Sequence, residues 1–247
     1  MKILGVIPAR YASTRFPGKP LTMINGVSMI ERVYRQATLA NSLTEVVVAT
    51  DDSRILDHVK QFGGRVVMTS TKHPSGTDRC AEVLEKTPGD WDAVVNIQGD
   101  EPYIQPEQID LLASCFQQED CKIATLVKLL DLESDLQDPN IPKVVVGADG
   151  RALYFSRRPI PYFPDDKIAG ALAHGSFYRH IGIYGYRSDI LPHLAKLAPA
   201  PLELAESLEQ LRWLSHGYSI HVKTTTSDNH AVDTPQDVVK LERLFGR

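Results

Sequence analysis

Short apolar runs alternate with amphipathic stretches through the first half of the chain. Residues 3–7, Ile-Leu-Gly-Val-Ile, are apolar throughout, as a strand covered on both faces requires. Asn25-Gly26 signals a turn, and Ser28 can cap a helix to about Ala40, with Ile30, Val33, Ala37 and Ala40 on one face. Residues 45–50 read as a second buried strand. Asp51, Asp52 and Ser53 supply a cap for a helix over 54–62, ended by Gly63-Gly64. Strands over 65–69 and 93–97 flank a helix opened by Ser75-Gly76-Thr77-Asp78-Arg79 and running to about Lys86. A further helix is expected over 106–117.

The second half changes character. Residues 122–128 read as a strand, and 142–147 with 151–155 as a β-hairpin turning at Ala148-Asp149-Gly150. A proline-rich, aromatic loop spans 157–179, and residues 180–186 form a strand. Helices are expected over 188–197 and 202–215, the second stopped by Gly217, and a late strand over 218–224. Thr234 as N-cap, Pro235 at the first helical position and Asp237 at the third open a last helix to about Phe245. No internal repeat or long linker is visible. The alternation predicts one α/β domain with a mostly parallel sheet and an inserted hairpin lobe. In such sheets ligands bind beyond the carboxyl ends of the strands. The loops after residues 7, 50 and 97 all lie there.

Composition adds exclusions. The chain has 247 residues, 43% hydrophobic and 23% charged, with a net charge of −4. That acidity argues against a nucleic-acid partner. Three cysteines without C-x-x-C spacing indicate neither a disulfide framework nor a zinc site. No stretch approaches the ~20 apolar residues of a membrane helix, and no signal peptide is visible. A cytoplasmic location is the expectation.

Charge is distributed unevenly. No acid precedes Glu31, so Lys2, Arg10, Arg15 and Lys19 stand without an anion among the first thirty residues. Three of them lie in a loop stiffened by Pro8, Pro17 and Pro20. Arg can bind phosphate bidentately and Lys as a point charge, so this loop, with Ser13, points to a polyanion such as a triphosphate. It is neither G-x-x-x-x-G-K-[ST] nor G-x-G-x-x-G, which weighs against a dinucleotide-dependent dehydrogenase.

Asp100, after the strand over 93–97, suits either a loop-capping role or a hard cation that takes one or two carboxylates plus phosphate oxygens. Gly99 permits close backbone approach. Glu101 reads as solvated. Asp233, before the last helix, is either a capping residue or a second metal ligand. On the 202–215 helix, Leu204, Leu208 and Leu211 form an apolar stripe. Glu203, Glu206 and Gln210 fall on another face, open to solvent or to a polyhydroxylated ligand. His180, Tyr184 and Tyr186 share one side of a strand, either as packed core or as ligand contacts.

These blocks together resemble the 3-deoxy-manno-octulosonate (Kdo) cytidylyltransferases, the CMP-Kdo synthetases. The likeness runs from Ile7-Pro8-Ala9-Arg10-Tyr11-Ala12-Ser13-Thr14-Arg15-Phe16-Pro17-Gly18-Lys19-Pro20 through Ala49-Thr50-Asp51-Asp52, Ser75-Gly76-Thr77-Asp78-Arg79 and Asn96-Ile97-Gln98-Gly99-Asp100-Glu101-Pro102. It continues with Tyr154-Phe155-Ser156-Arg157, His180-Ile181-Gly182-Ile183-Tyr184, Leu208-Glu209-Gln210-Leu211-Arg212 and Val232-Asp233-Thr234-Pro235.

The resemblance implies a Rossmann-like fold of the glycosyltransferase-A type, usually dimeric, and the reaction CTP + Kdo → CMP-Kdo + diphosphate with Mg²⁺, a step toward lipopolysaccharide. It implies that residues 1–120 mainly bind CTP, 121–224 mainly bind sugar and dimerise, and 225–247 return with a metal ligand. Arg10, Ser13, Arg15 and Lys19 would bind the CTP phosphates, with Arg15, Lys19 and Asp100 catalytic. Pro8, Ala9, Ser75, Gly76, Thr77 and Gln98 would complete the CTP site. Asp100 and Asp233 would hold the metal. Arg157 would face the sugar carboxylate, and His180, Tyr184, Glu209 and Gln210 the sugar hydroxyls. The 163–178 loop departs from the family pattern. Sibling activities on 8-amino-Kdo or a neuraminic acid, and a silent nucleotide-binding module, are the alternatives.

Overall fold

A computed structural model describes residues 1–12 and 16–246. Ser13 and Arg15, both expected at the phosphate site, lie outside the described residues. Strand β1 (Ile3–Ala9) shows why its sequence is apolar throughout. Ile3, Ile7 and Ala9 enter one buried cluster, and Leu4 and Val6 enter a second on the other face. Both faces are covered, so the period-two alternation of polar and apolar residues is absent.

A small hairpin of β2 (Met23–Ile24) and β3 (Val27–Ser28) turns at Asn25 and Gly26, both at positive φ. Helix α1 (Met29–Thr38) is capped by Ser28, whose Oγ accepts from the Glu31 amide at 3.3 Å. Next come β4 (Glu45–Thr50), α2 (Ser53–Gln61) capped by Asp52, β5 (Val66–Met68) and α3 (Gly76–Lys86). Strand β6 (Ala93–Asn96) and helix α4 (Pro106–Ala113) complete the first half.

The second half runs through β7 (Ile123–Leu129), α5 (Glu133–Gln137), β8 (Lys143–Val146), β9 (Ala152–Ser156) and α6 (Ile168–Ala173). It continues with β10 (Tyr178–Arg187), α7 (Leu191–Leu194), α8 (Pro201–Glu206), α9 (Gln210–Ser215), β11 (Ile220–Thr224) and α10 (Pro235–Phe245).

One sheet has the order β11-β7-β10-β6-β1-β4-β5. Pairs β1–β4, β1–β6, β4–β5 and β7–β11 are parallel, while β10 runs antiparallel to β6 and β7. The fold is therefore α/β and mostly parallel. The hairpin over β8 and β9 forms, yet β8 also pairs with β10, so it extends the main sheet rather than standing as a separate lobe.

Three expectations fail locally. The 202–215 helix is two helices, because Ser207 between them adopts a left-handed conformation (φ 53°). Leu204 is consequently exposed, while Leu208 and Leu211 are buried. The 188–197 helix shortens to α7, and the long loop over 157–179 contains α6.

Candidate active site

The carboxyl ends of β1, β4 and β6, the start of α3 and the segment returning from β11 converge at one edge of the sheet. Gly99 explains part of this. A side chain there would place its Cβ 2.5 Å from the Pro8 carbonyl oxygen, so only glycine lets the loop bearing Asp100 lie on the end of β1. The backbone then carries Asp233 to the same place, with the Val232 amide donating to the Asp100 carbonyl at 2.9 Å.

Lys19 joins these groups. Its Nζ donates to Asp100 Oδ2 at 2.7 Å and to the Val232 carbonyl at 2.8 Å, and lies 3.9 Å from Asp233 Oδ1. Three residues from distant parts of the chain thus form one charged cluster. An ammonium has three N–H groups, and among the described residues two are used here, leaving capacity for a phosphate oxygen. Among the described residues no group of three or more His, Cys, Asp or Glu side chains could hold a metal. The Asp100–Asp233 pair fits Mg²⁺, which binds through one or two carboxylates and completes its shell with water and substrate phosphate.

Arg10 leaves β1 and donates to the His73 carbonyl at 2.8 Å. Burial and the neighbouring Arg79 guanidinium lower its pKa, while Asp51 and Asp78 oppose them. An anion beside Arg10 would act in the same direction as those acids. His73 is itself held by Glu82, which also accepts from the Ser70 amide at 2.8 Å and from Lys86 at 2.6 Å. Burial alone would raise the Glu82 pKa, but Lys86, Ser70 and His73 together bring it down to about 2.

The proposed base-binding residues meet. A Cβ on Gly76 would lie 3.5 Å from Pro8 Cγ and 3.2 Å from Asn96 Nδ2, which puts the first turn of α3 against the end of β1. Ser75 caps α3, and Asp78 completes the capping box. Ala9 is buried. Gln98 donates from Nε2 to the Gly182 carbonyl at 2.7 Å, at the irregular stretch of β10 between Ile181 and Tyr184. Thr77 Oγ1 donates to Glu209 Oε2 at 3.0 Å, which joins α3 to the residue before α9.

His180, Tyr184 and Tyr186 do share a side: the His180 and Tyr184 rings are 5.2 Å apart, and Tyr184 and Tyr186 stack at 6.2 Å with Trp213 edge-on to both. His180 Nε2 pairs with Thr125 Oγ1 at 3.0 Å. Burial lowers its pKa to about 3, so the imidazole is neutral at ordinary pH. Burial raises the Glu209 pKa, against hydrogen bonds from Ser75 and Thr77. Tyr184 Oη, Gln210 Nε2 and Asn96 Oδ1 are buried with no hydrogen-bond partner among the described residues. Such atoms cost free energy unless a ligand or water satisfies them.

Arg157 is braced from three sides. Its guanidinium donates to the carbonyls of Glu206 at 2.8 Å, Pro139 at 2.9 Å and Ser207 at 3.3 Å, pinning the corner between α8 and α9. Glu206 accepts from Ser156 Oγ at 2.7 Å and from the Arg157 amide at 3.0 Å, and Glu203 pairs with Arg212 at 2.5 Å. Both acids are half-buried and held by these partners, while Glu209 accepts from Thr77 Oγ1 and Gln210 is buried.

Two polar features are not apparent in the sequence. Arg79 is fully buried and bonds Asp51 at 2.5 Å and Thr69 Oγ1 at 2.7 Å, a strut beneath Arg10. Glu101, expected in solvent, is buried and accepts from Asn229 Nδ2 at 2.5 Å. The partners lie 128 residues apart, and no local pattern links them.

Known proteins resemble this chain in sequence and in fold. The cytidylyltransferase family model matches residues 4–223. A 3-deoxy-manno-octulosonate cytidylyltransferase of Cytophaga hutchinsonii is 53% identical, with 98% of this chain and 96% of that protein covered. One from Thermodesulfovibrio yellowstonii is 47% identical over 99% of this chain and 98% of its own. Among solved structures, CMP:2-keto-3-deoxy-manno-octonic acid synthetase complexed with CTP superposes with a TM-score of 0.91 at 41% identity, covering 99% of this chain and 98% of that one. A cytidylyltransferase from Leptospira borgpetersenii, 17% identical with a TM-score of 0.64 over 98% of this chain and 85% of its own, shares the fold.

Proposed function

This chain belongs to the 3-deoxy-manno-octulosonate cytidylyltransferase family, and from that membership we infer that it transfers CMP from CTP to Kdo with release of diphosphate. The observation that carries the assignment to this site is the meeting of Lys19, Asp100 and Asp233, three charged residues that are remote in sequence.

In this reaction the anomeric 2-hydroxyl of Kdo attacks the α-phosphorus of CTP in line. An O–P bond forms, the bond to the α–β bridging oxygen breaks, and the hydroxyl proton is released. Lys19 stabilises charge on the leaving diphosphate, and Arg10 binds the phosphate chain. Asp100 and Asp233 would hold Mg²⁺, which when bound neutralises the α-phosphate and makes the hydroxyl more acidic. The loop Ser75-Gly76-Thr77, with Pro8 and Ala9, holds the cytosine.

His180 orients a sugar hydroxyl as a neutral imidazole, since a group with a pKa of about 3 is a poor base near neutrality. Tyr184, Glu209 and Gln210 supply the remaining hydrogen bonds to the sugar. Arg157 holds the α8–α9 corner and keeps N–H groups for the carboxylate end of the sugar. The enzyme works as a homodimer in the cytoplasm, and sedimentation of the purified protein checks the dimer. No helix among the described residues is long and apolar enough to cross a membrane.

Diphosphate release with CTP and Mg²⁺ tests the function, comparing Kdo, 8-amino-Kdo and neuraminate. Kdo should be turned over fastest. Preference for either other acid would move the assignment to a sibling enzyme, and no release with any of them would make the chain a silent nucleotide-binding module.

A further inference from the structure

Residues 225–234 connect β11 to α10 without regular structure, yet they must deliver Asp233 to Asp100. Backbone pairing alone is sparse there. The Thr225 amide donates to Val127 at 2.8 Å and the Val232 amide to Asp100 at 2.9 Å. Between these points a relay of side-chain amides holds the segment. Gln108, in the first turn of α4, accepts from the Gln105 amide at 3.3 Å and donates from Nε2 to Asn229 Oδ1 at 2.9 Å. Asn229 Nδ2 donates in turn to Glu101 Oε2 at 2.5 Å, on the residue next to Asp100. Gln108 and Glu101 are both buried, so the relay is shielded from competing water.

We propose that Asn229 is a positioning residue whose amide, held between Gln108 and Glu101, fixes the returning segment so that Asp233 stands beside Asp100. The inference rests on the reading of those two carboxylates as metal ligands. The chemistry requires an amide: one end must accept and the other donate. An ionised aspartate could not donate to Glu101. α10 also has anchors outside the segment: Val238 and Leu241 cluster with Ile24 and Met29, and Phe245 stacks against Tyr103 at 3.9 Å. Loss of Asn229 should therefore loosen the segment without releasing the helix.

The test compares wild-type protein with Asn229→Ala and Asn229→Asp. The Mg²⁺ concentration for half-maximal diphosphate release should rise about tenfold in Asn229→Ala and further in Asn229→Asp, as loss of a group supporting a metal ligand commonly does. The Michaelis constant for Kdo should stay within about twofold, because the sugar contacts lie on other elements. In metal-free protein, amides over 227–233 should exchange faster in both variants while those of α10 do not. Unchanged Mg²⁺ dependence, or unchanged exchange, overturns the positioning role. Faster exchange throughout α10 makes Asn229 merely structural and overturns it as well. Wild-type turnover that needs no added metal would instead overturn the metal assignment beneath it.

Discussion

Around Lys19 the charged groups have partners, with Asp100 at 2.7 Å and Asp233 at 3.9 Å, whereas Tyr184 is packed among the rings of His180 and Trp213. The first region is held by attraction between its own members. The second is held by packing: Trp213 and Tyr186 fix the Tyr184 ring, while Tyr184 Oη and Gln210 Nε2 find no partner among the described residues. Preorganisation therefore has two physical sources in one candidate site. A charge cluster must keep its ions balanced, and substrate phosphate and metal can enter by replacing internal contacts. A packed region keeps donors and acceptors in place at the cost of leaving them unsatisfied, and a polyhydroxylated ligand bound there would repay that cost.

The comparison breaks most visibly at Asp100. Asp100→Ala should lower diphosphate release by about a thousandfold or more, because it removes the proposed metal ligand and the anchor of Lys19 together. Circular dichroism should show the fold retained. A folded Asp100→Ala protein with normal turnover would overturn the assignment of the charged region. A smaller effect is expected at Tyr184. Tyr184→Phe keeps the ring packing and removes an unpartnered hydroxyl, so the protein should be no less stable, while the Michaelis constant for Kdo rises about tenfold. The constant for CTP should stay nearly unchanged, and an equal loss for both substrates would deny the separation between the two regions.

The smallest effect is expected at Glu82, which supports the His73 loop beneath Arg10. Its pKa is depressed from 4.5 to about 2 in the folded protein, so its stabilisation is fully present above pH 4.5 and disappears as pH falls toward 2. Glu82→Gln should lower stability at pH 7 by about 1–2 kcal/mol. The gap to wild type should close through that acid window in denaturant titrations. A gap independent of pH would mean that Glu82 acts through packing alone.

Much of the fold was legible because its signals are local. The caps at Ser28, Asp52, Ser75 and Thr234, and the turn at Asn25-Gly26, each act within a few residues, and the structure contains all of them. Gly99 was legible as a point of close approach, and the structure names its neighbour as Pro8. The break at Ser207 was not legible. The leucine spacing from Leu204 to Leu211 suits one helix, and what ends it is nonlocal: Arg157 binds the carbonyls at the corner, and Arg212 pulls on Glu203. Arg157, expected at the sugar carboxylate, also donates to those carbonyls, a contact no local pattern shows.

By itself the sequence determined the order of strands and helices, the caps, the excess of cations at the start and the residue types a cytidylyltransferase site needs. These depend on backbone preference, hydrophobic period and charge, which are written into neighbouring positions. Only the tertiary structure decided that Lys19 sits between Asp100 and Asp233, that Glu101 is buried against Asn229, and that Arg157 braces a corner. Each of those outcomes is a contact between residues far apart in the chain. Its free energy depends on burial and on which partner the folded sheet brings within hydrogen-bond reach, and no local pattern carries that information.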